Sequence, residues 1–284
     1  MGATGPGIPL APATGQSIGP PRRAPARVVA ADWSGAAVGE ARHLWLAEAD
    51  PGTGRLVGLA GHRRREAVDR LVSLADHDSR LLVGLDFGFS FPRWWLAECG
   101  LAGATQLWAD EARLEGWLTT CPPPFWGRPG RRRPTLAPDQ EWRRTELAVR
   151  PRPKSIFQIG GAGAVGTGSL RGMPFLATLR RAGFHIWPFD PPGWPMVAEV
   201  WPRLFALAVK KSRLDARQAW VHDHGAAVPD RWSATVAASA DAFDATVAAL
   251  GLLGMTDIPE VADPVAHQEG WILGVPLIPS SHAE

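Results

Sequence analysis

Tyrosine is absent from this chain of 284 residues, and cysteine (two) and methionine (four) are scarce. Cys99 and Cys121 are too few for a disulfide framework or a cysteine-ligated zinc site, so both read as structural thiols in a reduced, intracellular setting. Long apolar runs are missing as well. None approaches the roughly 18 residues that a membrane span needs. Residues 1–26 hold Gly, Pro and Ala but no apolar core of the signal-peptide kind. They read as a disordered leader, and cytoplasmic localisation is the expectation. Excess charge is lacking too: the net formal charge is +2, so charge alone does not demand a polyanionic partner.

What charge there is lies unevenly. Between Arg128 and Lys154 stand nine basic and three acidic residues, a local net of +6 that leaves −4 for the rest. The 45 % hydrophobic content suffices for a sizeable core, and residues 27–284 read as a single domain.

Order is expected to begin at ARVVAADWSG, a β-branched run ending in a small-residue turn. HLWLAEA and RLVGLAG follow, separated by the turn chemistry of DPGTG, so three strands form an antiparallel meander. In RRREAVDRLVSLAD, Ala67, Val68, Leu71, Val72 and Leu74 make one helical stripe. SRLLVGLDFGFSFP then reads as a buried parallel strand. Residues 93–118 read as helical, and 119–153 as an irregular Pro- and Arg-rich insertion. A helix over 170–182, strands at FHIWPFD and MVAEVWP, and helices over 203–222 follow. In the last helix, SADAFDATVAALGLLG, Ser239 is the expected N-cap and Gly254 the stop. The pattern is α/β: a mixed sheet carrying helices.

Four aspartates fall where a site is expected. Asp32 and Asp86 each close a strand and precede a glycine-containing turn. If those strands are parallel neighbours, both carboxylates reach the carboxyl edge of the sheet, where open α/β sheets bind ligands. Asp241 and Asp244, three apart on a helix, share one face. Carboxylates that converge resist joint ionisation, and a divalent cation relieves the repulsion. All-oxygen ligation favours Mg²⁺ or Mn²⁺ over zinc. A two-ion centre of this kind hydrolyses phosphodiesters.

In this order, VVAADWSGA, LLVGLDFGFSFP, KSIFQIGGAGAVGTGSLRGM, MVAEVWPR and DAFDATVAAL resemble the proteins grouped as domain of unknown function 429, RNase H-fold relatives of RuvC-like nucleases. The resemblance spans about residues 27–250. It implies an RNase H-like domain and a metal-dependent nuclease acting on nucleic acid. By that resemblance Asp32, Asp86, Asp241 and Asp244 hold the metals. Glu199 matches a Glu-Val-x-Pro element of the family, but Trp201 and Arg203 stand where that element often continues with His and Glu. Glu199 either lines the site or pairs with an arginine.

Other features admit two readings each. The glycine-rich run Gly160–Ser169 is a substrate-facing loop or a plain connection; it lacks the lysine of a Walker A loop. Lys154, Ser155 and Gln158 before it are candidate phosphate contacts. Arg131, Arg132 and Arg133, with Trp126 and Trp142, offer cations and stacking rings to a nucleic acid, or form a solvated insertion. His222 and His224 read as surface residues rather than metal ligands. Two other functions share this pattern: an ATP-handling protein of the actin-like superfamily, for which DWSG and DFGFS are the corresponding turns, and a non-catalytic binding module.

Overall fold

The structure, a computed structural model, describes residues 24–255 and 257–277. The leader expected over 1–26 lies, up to residue 23, outside the described residues. Ala26 already donates its N–H to the Arg80 carbonyl at 2.9 Å.

The first half builds the sheet: β1 (Arg27–Asp32), α1 (Glu40–His43), β2 (Trp45–Asp50), β3 (Arg55–Gly61), α2 (Arg64–His77) and β4 (Leu81–Leu85). Short helices follow: α3 (Arg93–Glu98), α4 (Ala104–Trp108), α5 (Glu111–Thr120), α6 (Pro138–Glu141) and α7 (Arg144–Leu147). The chain continues through α8 (Val165–Arg181), β5 (His185–Trp187), β6 (Met196–Glu199) and a 3-10 turn at Pro202–Leu204. It closes with α9 (Leu214–Asp223), α10 (Asp230–Ala238), α11 (Ala240–Leu253) and α12 (Ala266–Glu269).

The six strands run in the order β3-β2-β1-β4-β6-β5. The β1–β2 and β2–β3 pairs are antiparallel, as the turn residues predict. From β1 onward the pairs β1–β4, β4–β6 and β6–β5 are parallel. The protein is thus an α/β domain with a mixed sheet flanked by helices. No helix among the described residues is long and apolar enough to cross a membrane.

Both faces of the sheet are covered, which explains why β1 and β4 read as continuous apolar runs. Val29 and Ala31 of β1 pack with Val83 and Leu85 of β4 against α2 and α8. Val28 and Ala30 point the other way, toward Ala245, Ala248, Ala249 and Leu252 of α11. Each fully buried Val or Leu contributes roughly 1.5–3 kcal/mol relative to exposure. The alanine face of α11 lets this helix lie close on the sheet. Gly84 of β4 extends that fit: a Cβ there would stand 2.7 Å from Leu252 Cδ1 and 2.8 Å from Val200 Cγ1. Ser239 caps α11 through its Oγ, which accepts the Ala242 N–H at 3.1 Å, and the helix ends before Gly254.

The structure departs from the sequence expectation in three stretches, one being the start of the helices expected over 203–222, where a 3-10 turn at Pro202–Leu204 and irregular chain precede α9. The glycine-rich run is not one loop, because its second half forms the opening of α8, which starts at Val165. The insertion over 119–153 is not loose. Phe125 joins Phe91, Trp95, Trp117 and Phe157 in an aromatic cluster, and Arg143 is buried.

Candidate metal centre and substrate cavity

The parallel register decides where the acids meet. Ala31 of β1 lies opposite Leu85 of β4, and Leu85 lies opposite Glu199 of β6. Asp32, Asp86 and Glu199 therefore leave three adjacent strands at one edge. The Asp86 N–H donates to the Ala31 carbonyl at 3.0 Å, which carries the pairing one residue past β4. From the face above, α11 brings down Asp244. One carboxylate oxygen each from Asp32, Asp86 and Asp244 lies within 4.8 Å of the others.

These three carboxyls are electrostatically frustrated. Burial, then the charges of Asp86, Asp244 and Asp241, hold the Asp32 pKa well above the usual carboxylate range, against the pull of Lys211. Burial and Asp244 push Asp86 up to about 8, with Lys211 and a hydrogen bond with Asp32 opposing. Asp244 is also raised, by burial first, although Lys211 stabilises its charged form. The Lys211 ammonium bonds Asp244 Oδ2. Burial disfavours that ammonium, but Asp244, Asp32 and Asp86 outweigh it and hold its pKa above normal. Lys211, with Arg203 also acting on Asp244, does not offset the three carboxyls, whose pKa values all stay raised.

The remaining acids have other roles. Asp241 lies 3.2 Å from His43 Nδ1 and is not one of the three convergent carboxyls. Glu199 lines the cavity, but its charge is committed. Arg143 donates from Nη1 to Oε2 at 2.8 Å and from Nη2 to Oε1 at 2.5 Å, and the Phe89 N–H donates to Oε2 at 3.0 Å. The arginine pairing foreseen as one reading of Glu199 is therefore what the structure contains. Arg143 also bonds Glu146 Oε1 through Nε at 2.9 Å and Nη2 at 2.6 Å, and Nη1 donates to the Glu269 carbonyl at 3.1 Å. The two buried glutamates in turn hold the Arg143 pKa above its already high normal value against the cost of burial.

A cavity of about 380 Å³ opens over the carboxyls. Asp32, Asp86 and Glu199 form its acidic wall; Arg152, Lys154, Arg203 and Lys211 supply cations around the rest. Gly168 and Ser169 from the first turns of α8 also reach it. The turn after β1 touches α8 directly, and a Cβ on Gly35 would fall 2.6 Å from the Gly168 nitrogen. Ser169 Oγ accepts the Gly88 N–H at 2.9 Å, so the turn after β4 is fastened to the same helix.

Of the expected phosphate contacts, only Lys154 lines this cavity. Ser155 is turned inward: its Oγ accepts the Phe157 N–H at 3.3 Å and donates to the Glu141 carbonyl at 3.4 Å. Gln158 is buried and fastens its own loop, donating to the carbonyls of Gly160 and Ala162 at 3.3 and 3.0 Å. Arg131, Arg132 and Arg133 lie outside the cavity wall. Arg131 bonds the Thr120 carbonyl at 3.3 Å, and Arg133 pairs with both oxygens of Glu141 at 2.6 and 2.7 Å. The sequence reading missed Arg143, Arg152, Arg203 and Lys211. Arg143 and Arg152 sit among many arginines with nothing to single them out. Lys211 follows Lys210 in a stretch whose only signal is its polarity.

No family model, curated protein or solved structure matches the chain.

Proposed function

We propose that this protein is a divalent-metal-dependent hydrolase of nucleic-acid phosphodiester bonds, built on an RNase H-like domain. The observation that carries the reading is the convergence of Asp32, Asp86 and Asp244, the first two of which line a cavity whose other walls carry cations. The antiparallel meander continued by parallel strands supports the fold assignment.

The donors fit Mg²⁺ or Mn²⁺. They are hard carboxylate oxygens without a histidine or cysteine among them, at a spacing one or two ions can bridge. They are also partly withdrawn from water with their charge uncompensated, and a lysine has been drawn onto one of them. Ions bound there supply Lewis acidity to the attacking and leaving oxygens of a phosphodiester. Asp32, Asp86 and Asp244 would hold them. Arg152 and Lys154 orient the substrate phosphate from the cavity wall, while Lys211 and Arg203 neutralise charge beside the carboxyls. The Arg143 clasp pairs Glu199 on both of its oxygens, so that Glu199 adds to the charge around Asp86 only behind Asp244.

The ATP-handling alternative calls for a duplicated domain, whereas the described residues form one sheet. The test is a cleavage screen with Mn²⁺ and Mg²⁺ over single-stranded, duplex and branched nucleic acids, with Asp32→Asn and Asp244→Asn as controls. Metal-dependent cleavage abolished by both substitutions is expected. Cleavage indifferent to both removes the reading, and absence of Mn²⁺ binding favours a non-catalytic module.

A further inference from the structure

The basic insertion contains more cations than its own acids can pair. Arg133 is engaged by Glu141, Arg143 by Glu146 and Glu199, and Arg144 by Asp263. Arg128, Arg131, Arg132, Arg150, Arg152 and Lys154 form no ion pair among the described residues. Four of these six are exposed, and Arg128 and Arg152 are half-buried. Unpaired cations so close in sequence repel one another and favour a polyanion.

Parts of this stretch are packed down on the domain, and Arg152 and Lys154 reach the cavity wall. The Trp126 N–H donates to the Phe157 carbonyl at 3.0 Å, and the Ile159 N–H donates to the Trp126 carbonyl at 2.9 Å, which docks the start of the insertion on the segment leading into α8. The Arg133 guanidinium carbon lies 5.5 Å from the Trp126 ring centre and 5.8 Å from that of Trp142. Arg152 stands 4.6 Å from the same Trp142 ring, and the Trp142 indole N–H donates to the Pro153 carbonyl at 3.0 Å. Arg133 is thus a strut between two indoles, and Trp142 sets Arg152 at the cavity wall.

We infer that this face is a track for single-stranded nucleic acid, which delivers a strand end or an unstacked nucleotide to the carboxylate cavity. The inference rests on the hydrolase reading for its destination and adds the substrate's form and its route. The cavity, about 380 Å³, lies near the bottom of the ~300–1,000 Å³ range of ligand pockets. It accommodates one nucleotide rather than a stacked duplex, so the reacting phosphate arrives on an unpaired strand. Exposed arginines spaced along the insertion take successive backbone phosphates.

The test is fluorescence anisotropy with a labelled oligothymidylate and a duplex of equal length, in EDTA so that binding is read without cleavage, across a salt series. The wild-type protein should bind the single strand more tightly. Arg131→Gln/Arg132→Gln/Arg152→Gln should weaken binding at least about tenfold and reduce the log K against log salt slope by about two, since each lost phosphate contact on a single strand removes about 0.7. Arg132→Glu alone, fully at the surface, should weaken binding in the same direction. Preference for duplex, or affinity and slope unchanged in both variants, overturns the track. Asp32→Asn separates the two readings, because it should keep strand binding while losing cleavage. Strand binding through these arginines with no cleavage of any substrate removes the hydrolase and leaves the track; cleavage with binding indifferent to the arginines does the reverse.

Discussion

Replacing Asp86 with Asn should make the metal-free protein more stable. Asp86 stands at about 8 in the folded chain against an ordinary 3.8. An acid whose pKa is raised by folding favours the folded state only while it is protonated. Below pH 4 folded and unfolded chains both carry the proton and nothing is lost. As pH climbs from about 4 to about 8 the unfolded chain ionises while the folded one is held neutral, and stability falls throughout that window. At pH 7 the separation amounts to about three tenfold steps of about 1.4 kcal/mol each, near 4 kcal/mol. Asp86 titrates together with Asp32, so part of that cost belongs to the pair. Asn keeps the shape of the neutral acid and should recover about 2–4 kcal/mol at pH 7, with the gain fading toward pH 4. Urea unfolding of both proteins in EDTA at several pH values measures it. A variant less stable than the wild type at pH 8, or a gain that does not vary with pH, would refute the reasoning. The same substitution should weaken Mn²⁺ binding, so stability and metal affinity move in opposite directions.

Mn²⁺ affinity should rise with pH toward about 8, with protons released on binding, because the ligands must ionise; calorimetry in buffers of different ionisation enthalpy reads the proton count. Lys211→Ala removes the ammonium from Asp244 and should tighten Mn²⁺ about tenfold, equivalent to about 1.4 kcal/mol, as measured by titration calorimetry; unchanged or weaker binding counts against Lys211 as the competing cation. Arg143→Met leaves Glu146 and Glu199 buried without a counter-charge and should cost about 3–5 kcal/mol in denaturant unfolding. Gly35→Ala forces the turn after β1 off α8 and should cost about 1–3 kcal/mol while lowering metal affinity through the displaced Asp32.

Local chemistry made much of the sheet legible. The turn residues of DPGTG and the apolar runs of β1 and β4 carry their own geometry, and Ser239 marks the start of α11. Asp32, Asp86 and Asp244 were identifiable because strand ends and helix faces have fixed directions. Asp241 was harder, since a three-residue step places it on the same face but one turn nearer the start of α11, where His43 meets it. Side-chain pairings across long separations could not be read. Whether Glu199 is a free ligand or a clasped ion depends on Arg143, 56 residues earlier, reaching β6. Ser155 and Gln158 look like phosphate contacts in sequence because polarity alone does not reveal which way a buried chain turns.

The Arg143 clasp has a consequence for dissecting the molecule. Its guanidinium joins α7, the end of β6 and the last carbonyl of α12, three stretches far apart along the chain. Excising the insertion would therefore strand a bare glutamate one strand away from the aspartates, and the shortened protein would be more acidic at its heart as well as smaller at its surface. Any minimal version has to remove Glu199 together with the segment that shields it.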